Sequence, residues 1–143
     1  MISLRLRADS GSATVEFIGL SVLLLLPAMY ILIAISQLQA AGYAAVAAAD
    51  QAAKTIGYTN HEADAEARAV KTVHLTAEDY ELDPTQTSTA ITCSNPSCTT
   101  PGTRITVTVS IDVPLPLVPT LFGSPTSMAT MDASGHHVIG EFE

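Results

Sequence analysis

The hydrophobic pattern of the chain is dominated by one segment near the start, Phe17 to Ser36. These 20 residues include no charged side chain. As a helix they span about 30 Å, the thickness of the hydrocarbon core of a bilayer. Soluble helices of this length normally have a polar face, which this segment lacks. The pattern therefore predicts a transmembrane helix over residues 17–36, mildly kinked at Pro27, where one backbone hydrogen bond is lost.

The segment that follows is extremely rich in alanine. Nine of the fourteen residues from Ala40 to Ala53 are alanine, the strongest helix former, so we expect the helix to continue and to end near Gly57. One face of this extension carries small residues at helical spacing: Ala41, Ala45, Ala48 and Ala52. Such a face lets a neighbouring helix approach closely, and it equally suits packing against the chain's own domain. The sequence supports both interpretations.

A second helix is predicted from His61 to about Leu75, capped by Thr59 or Asn60. Asp64 and Arg68 stand four residues apart and are expected to form a supporting ion pair. The positions that we expect to face the core are Ala63, Ala67, Val70 and Leu75.

Alternating β-branched and polar residues then indicate strands. Ser88–Cys93 and Arg104–Val113 are expected to form a hairpin with the cysteine loop at its tip. Four prolines between residues 113 and 125 exclude a regular helix or a central strand from Val113 to Ser124, so this apolar stretch should cover the sheet edge or face a partner. Two weak strands are predicted at Thr126–Met131 and His136–Phe142. The predicted fold class is α+β: a long N-terminal helix, a short second helix and a small antiparallel sheet.

Length and charge narrow the class of protein. The 143 residues suit one domain. With 14 acidic and 6 basic residues and a net charge of −8, the chain lacks the clustered cations that nucleic acids require. Arg5 and Arg7 precede the apolar segment and acidic residues dominate after it. The positive-inside rule then places Met1–Ser10 in the cytoplasm and Gln37–Glu143 outside.

The only two cysteines, Cys93 and Cys98, flank an Asn-Pro turn signal. Their even number and close spacing predict a structural disulfide in an oxidising compartment. A zinc site would need two more ligands, and the adjacent pair His136-His137 lacks the usual ligand spacing. The spacing is also not that of a Cys-x-x-Cys redox motif.

A search for catalytic motifs finds none. The chain contains no Gly-x-Ser-x-Gly, no glycine-rich phosphate loop and no His-Glu-x-x-His. His61 and His74 are isolated, and the acidic residues have the pattern of a solvated surface. We therefore expect no enzymatic activity, no metal and no cofactor.

The most informative motif lies where the apolar segment begins. In Gly11-Ser-Ala-Thr-Val-Glu16-Phe17 a carboxylate directly precedes the uncharged 20-residue segment, although an acidic group is costly in a bilayer unless it has a partner. The arrangement resembles the processing site of type IV pilin-like proteins, in which a prepilin peptidase cuts after the glycine and the glutamate becomes the fifth residue. By this resemblance the processing site is Gly11 and Ser12, and Glu16 with Phe17 serves assembly.

Over residues 9 to 57 the chain is similar to the TadE-like pseudopilins of bacterial tight-adherence (Flp, type IVc) pilus systems. The resemblance implies a leader peptide over 1–11, a TadE-like segment over 12–57 and an extracytoplasmic domain over 58–143. It further implies a minor pilin in the cell membrane or in an extracellular pilus, with the prepilin peptidase, other pilins or pseudopilins and the assembly platform as partners.

Two other functions remain open on the sequence. A membrane-anchored or secreted binding module would be cut by signal peptidase near Ala47 to Ala49 or not at all. An envelope enzyme is the third, although no catalytic constellation supports it.

Overall fold

The computed structural model describes residues 12–59, 62–116 and 127–140. It has two helices, α1 (Ser12–Gly57) and α2 (Glu62–Asp79), and a 3-10 turn at Pro84–Gln86. Three strands follow: β1 (Thr87–Cys93), β2 (Arg104–Pro114) and β3 (Ser127–Val138). The predicted α+β class is confirmed. The predicted strands Thr126–Met131 and His136–Phe142 extend beyond the described residues at 126 and at 141–142. Residues 117–126, which include most of the proline-rich segment, lie wholly outside them.

Helix α1 runs for 46 residues without a break at Pro27. Within the described part of the chain it is the one helix long and apolar enough to cross a membrane, and none of its most apolar 18-residue window is buried. It ends at Gly57, as predicted. There the Tyr58 N–H donates to the Lys54 carbonyl (3.0 Å) and the Thr59 hydroxyl to the Thr55 carbonyl (2.7 Å). These bonds satisfy carbonyls that the helix end leaves without a partner.

The three strands form an antiparallel sheet in the order β1-β2-β3. Cys93 of β1 pairs with Ile105 of β2, so the predicted hairpin with the cysteine loop at its tip is confirmed. On the other side of β2, Val107 pairs with Gly135 of β3. The prediction of two short strands near the C terminus was wrong, because β3 is one strand of 12 residues. Small and polar residues from Asp132 to Gly135 obscured the alternation in the sequence, yet each of them is paired with β2.

One hydrophobic core joins the sheet to both helices. From β2 it takes alternate residues whose side chains all point to the same face: Ile105, Val107, Val109, Ile111 and Val113. From α1 it takes one face of the alanine-rich half: Ala41, Ala44, Ala45, Ala48, Ala49, Ala52, Ala53 and Ile56. Because alanine has only a methyl group, the sheet can pack closely on the helix backbone.

Strand β2 lies alongside the second half of α1 and runs in the opposite direction. At one end Val113 and Pro114 line a groove together with Gln37. At the other end His137, the partner of Ile105, lies against Gly57. The globular part therefore covers α1 from about residue 37 to its end, and the apolar half projects from it.

Helix α2 buries a different face from the one predicted. Ala65, Ala69, Val73 and Ala77 are buried at four-residue spacing, whereas Ala67 is exposed and Leu75 is 51% exposed. The predicted and the buried positions are nearly alike in residue type, with Leu75 in one set where the other has an alanine, and the packing of α2 against α1 decides which of the two faces is buried. The side chain of Ala63 lies outside the described residues.

The end of α2 and its ion pairing also differ from expectation. The helix continues past Leu75 to Asp79. It stops because Glu81, with φ of 59°, turns the chain so that the Leu82 N–H donates to the Ala77 carbonyl (2.9 Å). This is the hydrogen bond of a Schellman cap. In the described chain the ion pair that forms joins Lys54 Nζ to Asp50 Oδ2 at 2.7 Å, rather than Asp64 to Arg68.

Candidate assembly site on the first helix

Glu16 and Phe17 lie in the first turns of α1 and both are exposed, Phe17 by 70% of its surface. Ser12 begins the helix, and Gly11 lies outside the described residues. No cation of the described chain lies within ion-pair distance of the Glu16 carboxylate. A carboxylate beside an apolar helix, with no described partner in its own chain, is suited to accept a cation from elsewhere.

The face formed by Ala41, Ala45, Ala48 and Ala52 is buried inside the protein, each residue being at most 1% exposed. The sequence allowed this face to pack either against a neighbouring helix or against the chain's own domain. In the structure it packs against the chain's own domain. Gly135 of β3 contributes to this contact because it lies on the Ala49 carbonyl with no room for a Cβ atom. A neighbouring subunit could reach these alanines only if the sheet left the helix.

The exposed face of the same helix segment carries two large residues that sequence reasoning missed. Tyr43 is 68% exposed and Val46 is 61% exposed. From Ala40 to Ala53 the chain has nine alanines, Gly42, Asp50 and Gln51, and these two residues are the only others. Because they interrupt the run of alanines, the sequence itself distinguished this face of the helix from the face of small residues.

The disulfide prediction is confirmed, since Cys93 and Cys98 are bonded with their Cα atoms 5.4 Å apart. The loop is tied to the sheet by the Asn95 amide, which donates to the Thr103 hydroxyl (2.9 Å), and by the Ser94 N–H, which donates to the Arg104 carbonyl (3.0 Å). Thr103 itself is fully buried. The tip of the hairpin is thus a closed, internally bonded turn.

The two adjacent histidines point to opposite faces of the sheet. His136 Nδ1 lies 3.0 Å from the Thr106 hydroxyl on the exposed face. His137 packs on the end of α1, with its ring centroid 5.6 Å from that of Tyr58. They cannot share a metal ion from these positions, and no group of three or more metal-binding side chains occurs within the described residues. His74 is exposed, and His61 lies outside the described chain.

Acidic residues gather at the end of the globular part nearest the apolar half of α1. Glu81 and Asp83 line the groove beside Gln37. Asp83 accepts hydrogen bonds at Oδ1 from the Thr85 hydroxyl (2.7 Å) and N–H (2.9 Å). These two bonds favour the charged form and hold the pKa of Asp83 below its usual value.

Comparisons of this chain with protein-family models, with curated proteins and with solved structures find no match.

Proposed function

We propose that this protein is a minor pilin or pseudopilin, a structural subunit of a bacterial type IVc (Tad/Flp) pilus or of a related secretion apparatus. The observation that carries the proposal is the position of Glu16. It stands five residues after Gly11, at the start of an exposed and unbroken apolar helix. A simple membrane anchor gains little from a carboxylate at that point, because Glu16 lies beyond the first turn of α1 and the helix dipole acts mainly within that turn.

The chain crosses the membrane once, with Arg5 and Arg7 on the cytoplasmic side and the globular part outside. The disulfide between Cys93 and Cys98 supports this orientation, because disulfides persist in oxidising compartments. In this proposal a prepilin peptidase removes residues 1–11, and the remaining helix passes from the membrane into an assembly of like subunits.

Cleavage after Gly11 creates an α-amino group on Ser12 with an ordinary pKa of about 8, largely protonated at neutral pH. Withdrawing this cation and the Glu16 carboxylate from water costs several kcal/mol for each ion that is left without a partner. Pairing the amine of one subunit with Glu16 of its neighbour compensates both costs. The same pair sets the axial register of the two helices.

The competing site for signal peptidase, near Ala47 to Ala49, lies in an unfavourable place. Ala48 and Ala49 are fully buried under the sheet. A cut there would remove most of the helix face on which the core is built. This supports processing at the start of α1 rather than in its middle.

N-terminal sequencing of the protein from membranes tests the proposal. A chain that starts at Ser12 supports pilin-type processing. A start at Met1 would mean an uncleaved membrane anchor, and a start near Asp50 would mean signal peptidase; either result refutes the proposal.

The role of Glu16 is tested by Glu16→Gln, with Glu66→Gln, an exposed carboxylate of α2, as the matched control. We expect Glu16→Gln to be cleaved and inserted but absent from purified pili, while Glu66→Gln assembles normally. Wild-type amounts of Glu16→Gln in pili would show that Glu16 only favours the start of the helix through the helix dipole.

A further inference from the structure

A groove lies where the globular part meets the apolar half of α1, and we call it the membrane-end groove. Helix α1 contributes Ser36, Gln37 and Ala40 to its lining, and the turn after α2 contributes Glu81 and Asp83. Its volume is about 360 Å³, which falls in the range of about 300–1,000 Å³ typical of sites for small ligands. The groove is therefore large enough for a ligand of several non-hydrogen atoms.

The α1 side of this groove is level with the lipid headgroups when the apolar segment spans a bilayer. Ser36 is the last residue of the uncharged segment Phe17–Ser36, which spans the hydrocarbon core of about 30 Å. A helix rises about 1.5 Å per residue, so Ala40 stands about 6 Å beyond Ser36. The headgroup region extends about 5–8 Å beyond the hydrocarbon core. The ligands that the membrane itself brings to this groove are therefore lipid headgroups.

The membrane-end groove carries negative charge without a cation. Glu81 and Asp83 are both exposed, and among the described residues no lysine, arginine or histidine lines the groove. Two hydrogen bonds from Thr85 lower the pKa of Asp83, so this carboxylate is charged at neutral pH. Charge complementarity therefore favours a ligand with a cationic group and disfavours an anionic headgroup.

Uncharged hydrogen-bonding groups lie in the same groove. Gln37 Oε1 is buried and accepts no hydrogen bond from the described residues. A buried acceptor without a donor is unfavourable and commonly marks the place of a water, an ion or a ligand. Tyr80 and Gln86 also line the groove, with a hydroxyl and an amide that can donate. The groove thus combines acceptors for a cation with donors for an anion.

This combination fits a zwitterionic lipid better than a side chain of another protein. A lysine side chain would use the acceptors of the groove but not its donors, because an ammonium group accepts no hydrogen bond. The groove also has an apolar wall formed by Leu82, Val113 and Pro114, which suits the hydrocarbon part of an amphiphile. A headgroup with both an ammonium and a phosphate matches all three kinds of surface.

We propose that the membrane-end groove binds the phosphoethanolamine headgroup of a phospholipid. This inference rests on the single membrane crossing of the proposed function. The ammonium group has three N–H donors, which match the acceptors of Gln37, Glu81 and Asp83. The phosphate accepts hydrogen bonds from the Tyr80 hydroxyl and the Gln86 amide. A choline headgroup has no N–H donor and a glycerol headgroup has no cation, so the groove discriminates against both.

Native mass spectrometry of the full-length protein in detergent tests this selectivity. Phosphatidylethanolamine, phosphatidylcholine and phosphatidylglycerol with the same short acyl chains are added separately. We expect one phosphatidylethanolamine to bind per chain, about tenfold more tightly than either other lipid, because only its headgroup forms charge-assisted hydrogen bonds with the carboxylates. Equal binding of the three lipids would overturn the proposal and leave the groove to a protein partner or to the chain's own segment 117–126. Displacement of the lipid by an equal concentration of free ethanolamine would also overturn it, because the site would then not require a lipid.

Two variants test the carboxylates without changing their size. Glu81→Gln and Asp83→Asn each remove one charge, and the asparagine keeps an oxygen that can accept from Thr85. We expect each to weaken phosphatidylethanolamine binding about tenfold, through loss of one charge-assisted hydrogen bond, and to leave phosphatidylcholine binding unchanged. The control is Glu66→Gln, an exposed carboxylate near the other end of α2. Unchanged binding in both groove variants, or an equal loss in Glu66→Gln, would contradict the site.

A third variant, Gln37→Leu, tests the buried amide. We expect it to weaken phosphatidylethanolamine binding, while the lipid-free protein unfolds thermally at the same temperature as the wild type or higher, because no acceptor is then buried without a donor. Wild-type affinity in Gln37→Leu would overturn the assignment of the third acceptor.

Failure of this inference is distinguishable from failure of the proposed function, because lipid binding requires neither cleavage nor pilus formation. The same spectrum gives the mass of the chain and so shows whether residues 1–11 are present. A chain that starts at Met1 yet selects phosphatidylethanolamine refutes pilin processing alone. A chain that starts at Ser12 and binds the three lipids equally refutes the headgroup site alone.

Discussion

Gly135 of β3 lies directly on the backbone of Ala49 in α1, so that a Cβ atom at position 135 would overlap the Ala49 carbonyl group. Strand and helix therefore meet at this point without an intervening side chain. The obstacle is helix backbone, which cannot rotate away as a side chain can.

Gly135→Ala is accordingly expected to destabilise the protein by about 3 kcal/mol, at the upper end of the cost of overpacking. Denaturant unfolding of the detergent-solubilised protein measures it. Gly42→Ala is the control, because nothing lies within 4 Å of its added Cβ. It should be neutral or stabilising by up to about 1 kcal/mol, since alanine favours a helix. Equal midpoints for the two variants would contradict the close contact.

Gly57 meets a side chain rather than backbone. A Cβ atom there would overlap the imidazole ring of His137. We expect Gly57→Ala to cost about 1 kcal/mol, because the ring can shift. In a His137→Ala background the same change should cost nothing or stabilise, since the obstacle is gone. A double-mutant cycle measures this coupling, and strictly additive effects would refute it.

Glu81 adopts a left-handed conformation, with φ of 59°, at the end of α2. This conformation costs a residue with a Cβ atom roughly 1–2 kcal/mol, partly offset in a glycine variant by greater freedom of the unfolded chain. Glu81→Gly should therefore stabilise by about 0.5 kcal/mol in thermal unfolding. Glu78→Gly, inside the helix, should destabilise by about 1 kcal/mol. Loss of stability in both variants would argue against the cap.

The disulfide between Cys93 and Cys98 closes a short loop. The chain-entropy model assigns about 2 kcal/mol to a loop of this length. We expect Cys93→Ser/Cys98→Ser to lose about that amount in denaturant unfolding, and alkylation with mass measurement to find no free thiol in the wild-type exported protein. Two free thiols in that sample would contradict the external location of the domain.

The hydroxyl and N–H of Thr85 lower the pKa of Asp83. Because the pKa of Asp83 is lower in the folded than in the unfolded protein, its carboxylate stabilises the fold at any pH above the unfolded-state pKa. This contribution is lost as the pH falls through the folded-state pKa. Thr85→Val should raise the pKa of Asp83 towards its usual value in an NMR titration, and Thr85→Ser should leave it low. An unchanged pKa in Thr85→Val would show that the hydroxyl bond is absent in solution.

The sequence predicted the local structure correctly in the segments whose residue pattern is typical of only one kind of structure. The uncharged run from Phe17, the alternation from Arg104 and the cysteine pair each indicated a single local structure, and all three appear as predicted. The errors fall where several faces looked alike. In α2 the predicted face and the buried face are both composed of alanines and one valine, apart from Leu75, so the residue types did not distinguish them and only contact with α1 decided between them.

The sequence by itself determined that α1 is a long apolar helix with a carboxylate at its start, because charge and hydrophobicity are properties of consecutive residues. Only the tertiary structure decided which side of that helix is covered. Alanines lie on nearly every side of its second half, so the sequence pattern alone could not show which face packs against the sheet. The sheet packs on the face that includes Ala41, Ala45, Ala48 and Ala52, and Gly135 lies directly on the backbone of Ala49 beside them. This packing leaves Tyr43 and Val46 exposed on the opposite side of α1.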